Sequence, residues 1–310
     1  MSVLFTFPGQ GAQRPGMLHR LPDHGETRRA LDEAGQVLGR DMLALDDEAS
    51  LAGTAAVQLC LLVAGVAMVR VLAAHGAAPD MVAGLSIGAY PAAVAAGVLD
   101  YADALRLVDL RGGLMQQRYP AGYGMAAIVG LERGELQPLI DAAHSPRAPV
   151  YLANLNAPRQ LVVSGRAEAL RAVMREALRA GASSARRLAA DIPSHCPLYE
   201  DDARVLHEAV RQAAMRRPAA RYLSASEARA LNEPADIGRD LAFNMARQVH
   251  WHDTVRLAWE LGARLALEMP PGAVLTGLTA PVFAQGRVAC SENNRLETLA
   301  KLAGRERDGA

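Results

Sequence analysis

Met81-Val82-Ala83-Gly84-Leu85-Ser86-Ile87-Gly88-Ala89 decides how the rest of the chain is read. Residues 81–84 are a short apolar run that fits a buried strand, and residues 89–96 read as helix. Between them, Gly84-Leu85-Ser86-Ile87-Gly88 places small residues on both sides of a serine. A sharp, strained strand-to-helix turn that lifts a serine out of the backbone needs that spacing. The N–H groups at the start of the following helix then face the group the hydroxyl attacks and can stabilise an oxyanion, with Ile87 as the natural first donor. Five-residue matches also arise by chance in a chain rich in glycine and alanine. The strand before and the helix after are what lend this one chemical meaning.

Working outward, residues 55–75 read as a long helix stopped at Gly76. Its apolar run is interrupted by Gln58 and followed by Arg70, and a membrane span needs roughly 20 apolar residues, so a buried helix is expected. Residues 3–7 form a β-rich run that feeds the tight loop Pro8-Gly9-Gln10-Gly11, and residues 102–118 read as another helix. The pattern changes at Pro120-Ala121-Gly122. Beyond it come a strand (125–131), a helix (132–143), a hairpin (150–153 and 160–164, turning around Asn156-Ala157-Pro158), a helix (167–180) and a strand (184–190). That β-α-β-β-α-β order is ferredoxin-like. The expected fold is therefore α/β: an α/β-hydrolase-like catalytic subdomain over residues 1–121 and 191–310, with a ferredoxin-like subdomain, residues 122–190, inserted in it. After Pro193 a helix is expected through Leu206 to about Met215, then a helix at 251–261, a strand at 265–269, and a frayed tail at Glu306-Arg307-Asp308-Gly309.

The chain has 310 residues, of which 51% are hydrophobic and 21% charged, so it can bury a core and is not disordered. Its formal net charge of zero gives no reason to expect nucleic acid or an anionic membrane as a partner. Arginine almost replaces lysine, with Lys301 alone, which reads as genomic composition bias. Cys60, Cys196 and Cys290 are odd in number and lack metal-ligand spacing, which argues against a disulfide framework or a metal site and for a reducing compartment. The N-terminus reaches Pro8 before a signal-peptide core can form, so a soluble, cytoplasmic protein is expected.

A serine nucleophile needs a base. Of eight histidines, His195 in Pro193-Ser194-His195-Cys196-Pro197 has the most suggestive setting. Pro197 favours the first turn of a helix, so the histidine sits on the loop before it. A surface histidine fits the same local pattern. His207 lies in a helix rich in Arg and Glu, and His250 and His252 flank Trp251. Arg111 has Leu107, Val108, Leu114 and Met115 as its helical neighbours, with no acid one turn away. A partly buried guanidinium requires a carboxylate or phosphate, supplied either from elsewhere in the chain or by the substrate.

Taken together, these segments resemble the malonyl-CoA:acyl-carrier-protein transacylase family. Phe7-Pro8-Gly9-Gln10-Gly11-Ala12-Gln13 is similar to its N-terminal loop, Gly84 to Gly88 to its serine elbow, and Arg111-Gly112-Gly113-Leu114-Met115-Gln116 to its arginine helix. Ile192-Pro193-Ser194-His195-Cys196 is similar to its histidine segment, and Asn244-Met245-Ala246-Arg247-Gln248 to its late Asn-x-x-x-Gln motif. The resemblance implies an enzyme of ping-pong acyl transfer. Ser86 would be acylated, His195 would act as base and then acid, and the backbone N–H groups of Gln10 and Ile87 would hold the oxyanion. Arg111 would bind the malonyl carboxylate, in a pocket also lined by Leu85, Gln58 and Asn244. Gln248 would orient His195 through its main-chain carbonyl. Malonyl-CoA, a coenzyme A thioester, would be the donor, and a phosphopantetheine-type arm on a carrier protein the acceptor; no bound cofactor or metal is implied.

One departure is Leu85 before the serine, where the family usually has His, with Ala89 where it often has Glu. This variant resembles the transacylase (epsilon) subunit of malonate decarboxylase, whose acceptor is a small carrier subunit. A fatty-acid-synthesis malonyl transacylase is the alternative. An α/β serine hydrolase would share the elbow and require an acid for His195 (Asp236, Asp240 or Asp253), and a scaffold subunit would need none of this chemistry. Arg186, Arg187, Arg204, Arg211, Arg216, Arg217 and Arg221 form a loose basic stretch able to steer an acidic carrier, or only a solvated face.

Overall fold

The computed structural model describes residues 2–119 and 121–308. Strand β1 (Ser2–Phe7) is buried from Val3 onward, as apolar residues in a central parallel strand must be. Helix α1 (Gly25–Leu38) has its N-terminus capped by the His24 side chain and leads to α2 (Thr54–Ala74). This second helix is apolar on all sides and long enough to cross a membrane by composition alone, but it is mostly buried against α1, α3 and α4. Strand β2 (Met81–Gly84) follows, then a 3-10 turn (Ser86–Gly88), α3 (Ala89–Ala95) and α4 (Tyr101–Arg118).

The chain next builds a second sheet from β3 (Tyr123–Val129), α5 (Arg133–Ala143), β4 (Val150–Ala157), β5 (Gln160–Arg166), α6 (Ala167–Arg179) and β6 (Ser184–Arg187). Its four strands lie in the order β4-β5-β3-β6, all antiparallel, with both helices packed against them. This is the ferredoxin-like arrangement expected from the element order. Two register shifts interrupt β4, between Leu152 and Asn154 and between Leu155 and Ala157. They accommodate a short parallel bridge from Asn154 to Val249 on the outer edge of the strand.

The return to the first sheet runs through α7 (Glu200–Val210), β7 (Arg221–Ser224), β8 (Arg229–Leu231), α8 (Pro234–Phe243), α9 (Trp251–Glu260), β9 (Ala263–Glu268), α10 (Val274–Thr279), β10 (Arg287–Cys290) and α11 (Leu296–Asp308). The large sheet has the order β10-β9-β1-β2-β7-β8 and is parallel except for β8 at one edge. Large and small subdomains together give the α/β-hydrolase-like body with a ferredoxin-like insertion.

Two expectations are corrected. Helix α7 stops at Val210, short of Met215, which instead bridges back to Leu99. The tail is helical to Asp308, because Leu299 and Ala303 bury one face of α11 against the core; Gly309 lies outside the described residues. All three cysteines are buried and free.

Phe7 pairs with Gly84, so the loop leaving β1 and the turn leaving β2 lie side by side at the carboxyl ends of adjacent parallel strands. Open parallel sheets form their crevices at that edge.

Candidate active site

Ser86 takes up a left-handed backbone with φ of 58°, a conformation that costs a non-glycine residue about 1 kcal/mol or more. The flanking glycines make it possible by steric necessity. A Cβ on Gly84 would fall 2.0 Å from the Gly88 carbonyl carbon, and one on Gly88 would fall 2.2 Å from the Phe7 carbonyl oxygen. That oxygen also accepts a hydrogen bond from Leu85 N–H at 3.0 Å, which ties the elbow to β1. Ser86, Ile87 and Gln10 all line one cavity of about 290 Å³, and the Gln10 N–H has no acceptor among the described residues. Leu85 lies on the wall of the same cavity and packs toward Gly9.

Arg111 projects from α4 beneath the serine and is fully buried. Its Nη1 donates to Gln58 Oε1 at 2.7 Å, and its Nη2 to Ser86 Oγ at 3.2 Å and Asn244 Oδ1 at 3.0 Å. Its Nε has no partner among the described residues. Every partner is neutral, and no carboxylate pairs with it among the described residues. Burial lowers its pKa, a measure of how poorly the site solvates the charge.

His195 also occupies the left-handed region, with φ of 63°, and is almost fully buried. Its N–H donates to Met245 O at 2.8 Å. Its Nδ1 lies 2.8 Å from Asn244 O and 3.3 Å from Arg247 O, which places the proton on Nδ1 and leaves Nε2 as the lone-pair nitrogen. Burial, and then the nearby Arg111 charge, depress its pKa to about 4, against a smaller upward pull from the two carbonyls. The ring is therefore neutral near pH 7. It lines the cavity that holds Ser86, although no hydrogen bond joins the two residues among those described.

The expected role of Gln248 is corrected. Its main-chain carbonyl is not the acceptor for His195; Asn244, which opens the 3-10 turn Asn244–Ala246, and Arg247, the extended residue that ends it, point their carbonyls at the ring. The Gln248 side chain instead donates to Leu152 O at 2.9 Å, and Val249 bonds to Ala153 and Leu155. That stretch is committed to the edge of β4. Asn244, expected in the acyl pocket, lies behind the cavity wall instead: its side chain accepts from Arg111 and donates to Ser86 O at 3.3 Å, and its carbonyl oxygen meets His195 Nδ1. Gln58 lines the cavity, and its Oε1 accepts from Arg111 Nη1.

Sequence reading did not single out Asn154, Asn156 and Gln160, which line the cavity from the β4–β5 hairpin. The Oδ1 atoms of both asparagines are buried without hydrogen-bond partners among the described residues. The available signal was an alternating pair of amides on a strand. Most of the loose basic stretch is neutralised internally: Arg204 by Glu200 and Asp201, Arg211 by Glu208, Arg216 by Asp100 and Arg217 by Glu233. Arg186 lines the cavity and forms no ion pair among the described residues. None of the three candidate acids bonds to His195. Asp240 is held by Tyr222, Ser224 and Ser226, and Asp253 lies 4.0 Å from His250. No group of three His, Cys, Asp or Glu among the described residues could hold a metal ion.

Residues 4–304 match the acyl transferase domain family. The chain is 36% identical to the malonyl CoA-acyl carrier protein transacylase of Escherichia coli O157:H7, over 89% of this chain and 91% of that protein. It is 32% identical to the protein of the same name from Bacillus subtilis strain 168, over 99% of each. The solved malonyl CoA-acyl carrier protein transacylase of Coxiella burnetii superposes with a TM-score of 0.92 at 32% identity, over 98% of each chain. A malonyl-transacylase solved in complex with its type II PKS acyl-carrier protein superposes at 0.91 with 33% identity, over 97% of this chain and 99% of that one.

Proposed function

The chain belongs to the acyl transferase domain family and is an acyltransferase; on that premise we propose that it moves malonyl groups from malonyl-CoA to the thiol of an acyl carrier protein by way of Ser86. One observation carries the choice of acyl group. Arg111 is a buried cation with only neutral partners, next to the serine hydroxyl. A carboxylate on the acyl chain would supply the missing charge through a bidentate pair.

In the proposed sequence, His195 Nε2 takes the Ser86 hydroxyl proton as Oγ attacks the thioester carbonyl. The oxyanion is held by the N–H groups of Gln10 and Ile87. Collapse expels the CoA thiolate, which receives the proton from His195 and leaves malonyl-Ser86. The carrier thiol then gives its proton to His195, attacks the ester, and Ser86 departs with that proton. Backbone carbonyls in place of a carboxylate behind His195 suit this cycle: they fix the tautomer without holding the ring as an imidazolium. The buried, unpartnered Oδ1 atoms of Asn154 and Asn156 are suited to accept from amide N–H groups of the pantetheine arm common to CoA and carriers.

The names of the relatives favour an acyl carrier protein as acceptor. Leu85 and Ala89 favour a second reading, in which the chain is the transacylase subunit of malonate decarboxylase and serves that enzyme's carrier subunit. Incubation with malonyl-CoA should leave a malonyl adduct on Ser86, visible by intact mass. Offering the adduct to phosphopantetheine-bearing acyl carrier protein, and separately to a carrier with a phosphoribosyl-dephospho-CoA arm, distinguishes the acceptors by which one discharges it. Rapid appearance of free malonate with no adduct would overturn transfer in favour of hydrolysis.

A further inference from the structure

His195 leans on the 244–247 turn at three points: its own N–H on Met245 O, and its Nδ1 on both Asn244 O and Arg247 O. The direction of the imidazole therefore depends on where that turn stands relative to the loop carrying the histidine. The Arg247 side chain reaches back to the far end of that loop. Its Nη1 and Nη2 meet the two oxygens of Glu200 at 2.5 and 3.3 Å, a bidentate pair that fixes angle as well as distance. Glu200 is the first residue of α7, separated from His195 by Cys196 and the tight 3-10 turn Pro197–Tyr199, so little slack lies between them. The guanidinium also lies 5.4 Å above the Phe243 ring, which restricts its alternatives.

We infer that Glu200 and Arg247 form a clamp that positions His195 for proton transfer. The inference rests on the reading of His195 as the base. Neither clamp residue lines the cavity that holds Ser86; Arg247 lines a second groove, which His195 also borders. Neither is therefore placed to touch the acyl group. Around the clamp, Arg204 lies 3.5 Å from Glu200 and is shared with Asp201. Glu200 thus keeps a second, weaker partner when Arg247 is removed, and the clamp's contribution is in alignment more than in charge balance. An exposed ion pair adds little to stability, but small displacements of a catalytic group cost rate steeply.

The test uses the full chain with Glu200→Gln, Arg247→Gln, the double variant and Arg247→Lys. At saturating malonyl-CoA, the rate of Ser86 malonylation is expected to fall roughly three- to tenfold in each Gln variant, while half-saturation stays put because the cavity walls are untouched. The double variant should be no slower than the slower single one, since both remove the same contact. Arg247→Lys keeps one charged contact and should recover part of the rate. The His195 Nδ1–H proton resonance should move upfield in the Gln variants as its hydrogen bond to Arg247 O lengthens. Full loading rates in both Gln variants, or a change confined to half-saturation, would overturn the clamp. His195→Ala separates the two readings: if it still loads Ser86, the base assignment fails; if it does not and the clamp variants run at the normal rate, only the clamp fails. Should a Gln variant lose its thermal transition, Arg247→Lys decides the matter, because it leaves a cation over Phe243.

Discussion

The Ser86 turn and the His195 loop face the same cavity, and both hold their key residue in a left-handed backbone, at φ of 58° and 63°. They stabilise that strain in opposite ways. At Ser86 it is maintained by exclusion: Gly84, Gly88 and the Phe7 carbonyl are so close that no side chain fits between them. At His195 no glycine takes part, and the loop is pinned by directional bonds to Met245, Asn244 and Arg247 and by the Arg247–Glu200 pair. Shape holds the nucleophile and hydrogen bonds hold the base. A shape constraint fails all at once, whereas a bonded one weakens by degrees.

The largest effect should therefore come from the elbow. Gly88→Ala puts a Cβ onto the Phe7 carbonyl, and backbone cannot swing aside as a flexible side chain can. Loading of Ser86 should disappear, a loss of at least roughly a hundredfold, since a shift of 1 Å at a reacting group already costs about that much. A Gly88→Ala protein that was malonylated on Ser86 at a normal rate would show that the elbow is not shape-limited. Next comes Arg111, which touches both halves of the comparison through Ser86 Oγ and Asn244 Oδ1. Arg111→Ala should cut the preference for malonyl-CoA over acetyl-CoA by roughly a hundredfold, as expected when a buried charge pair is lost. Competition between the two thioesters, read as the ratio of adducts on Ser86, measures it.

The bonded side should show itself in pH dependence. With the His195 pKa near 4, the neutral base persists well below the range of an ordinary histidine. Loading rates should stay flat from pH 8 to about 5 and fall tenfold per unit only below about 4. A carboxylate paired with Arg111 cancels one of the two causes of the depression, so the acid limb of kcat should lie at higher pH than that of kcat/KM. Stability follows the same group. The folded pKa lies below the unfolded value of about 6.5, so the unfolded chain binds the extra proton between those values and the native state loses stability as pH falls through that window. The loss is on the order of 3 kcal/mol from this residue. His195→Gln should flatten the dependence of unfolding free energy on pH between 4 and 6.5; an unchanged slope would mean the imidazole is not desolvated.

The same contrast explains what the amino-acid sequence alone made legible. The elbow was legible because its constraint lies within five consecutive residues, and the glycine spacing is the constraint. The small sheet was legible because its β-α-β-β-α-β elements form one uninterrupted stretch of chain. The carbonyls behind His195 were not, because they lie 49 and 52 residues away and main-chain acceptors leave no mark on side-chain identity. That is how Gln248 came to be expected in a role that Asn244 and Arg247 fill. The short strands β7, β8 and β10 escaped for another reason: each has four residues or fewer, and all three begin with an exposed arginine, which hides the apolar signal. Arg111 was half legible. Its apolar neighbours announced a missing anion, but only the fold shows that Gln58, Ser86 and Asn244 are the groups that surround it.

The smallest effect should come from the hairpin that faces both constrained segments. Asn154 is nearly fully buried, its Oδ1 accepts no hydrogen bond among the described residues, and the register shift beside it accompanies the bridge to Val249. Asn154→Ala leaves the elbow and the base loop unaltered and removes one acceptor for an arm amide. The rate at saturating malonyl-CoA should hold, while half-saturation rises roughly three- to tenfold, the usual consequence of losing one buried hydrogen bond to a neutral partner. A malonyl thioester of a short thiol without amides supplies the contrast, because it offers nothing for Asn154 to accept and should be handled equally well by both proteins. If the variant slowed both thioesters alike, Asn154 would be acting through the Val249 bridge on the turn behind His195, and the hairpin would belong with the bonded half of the site.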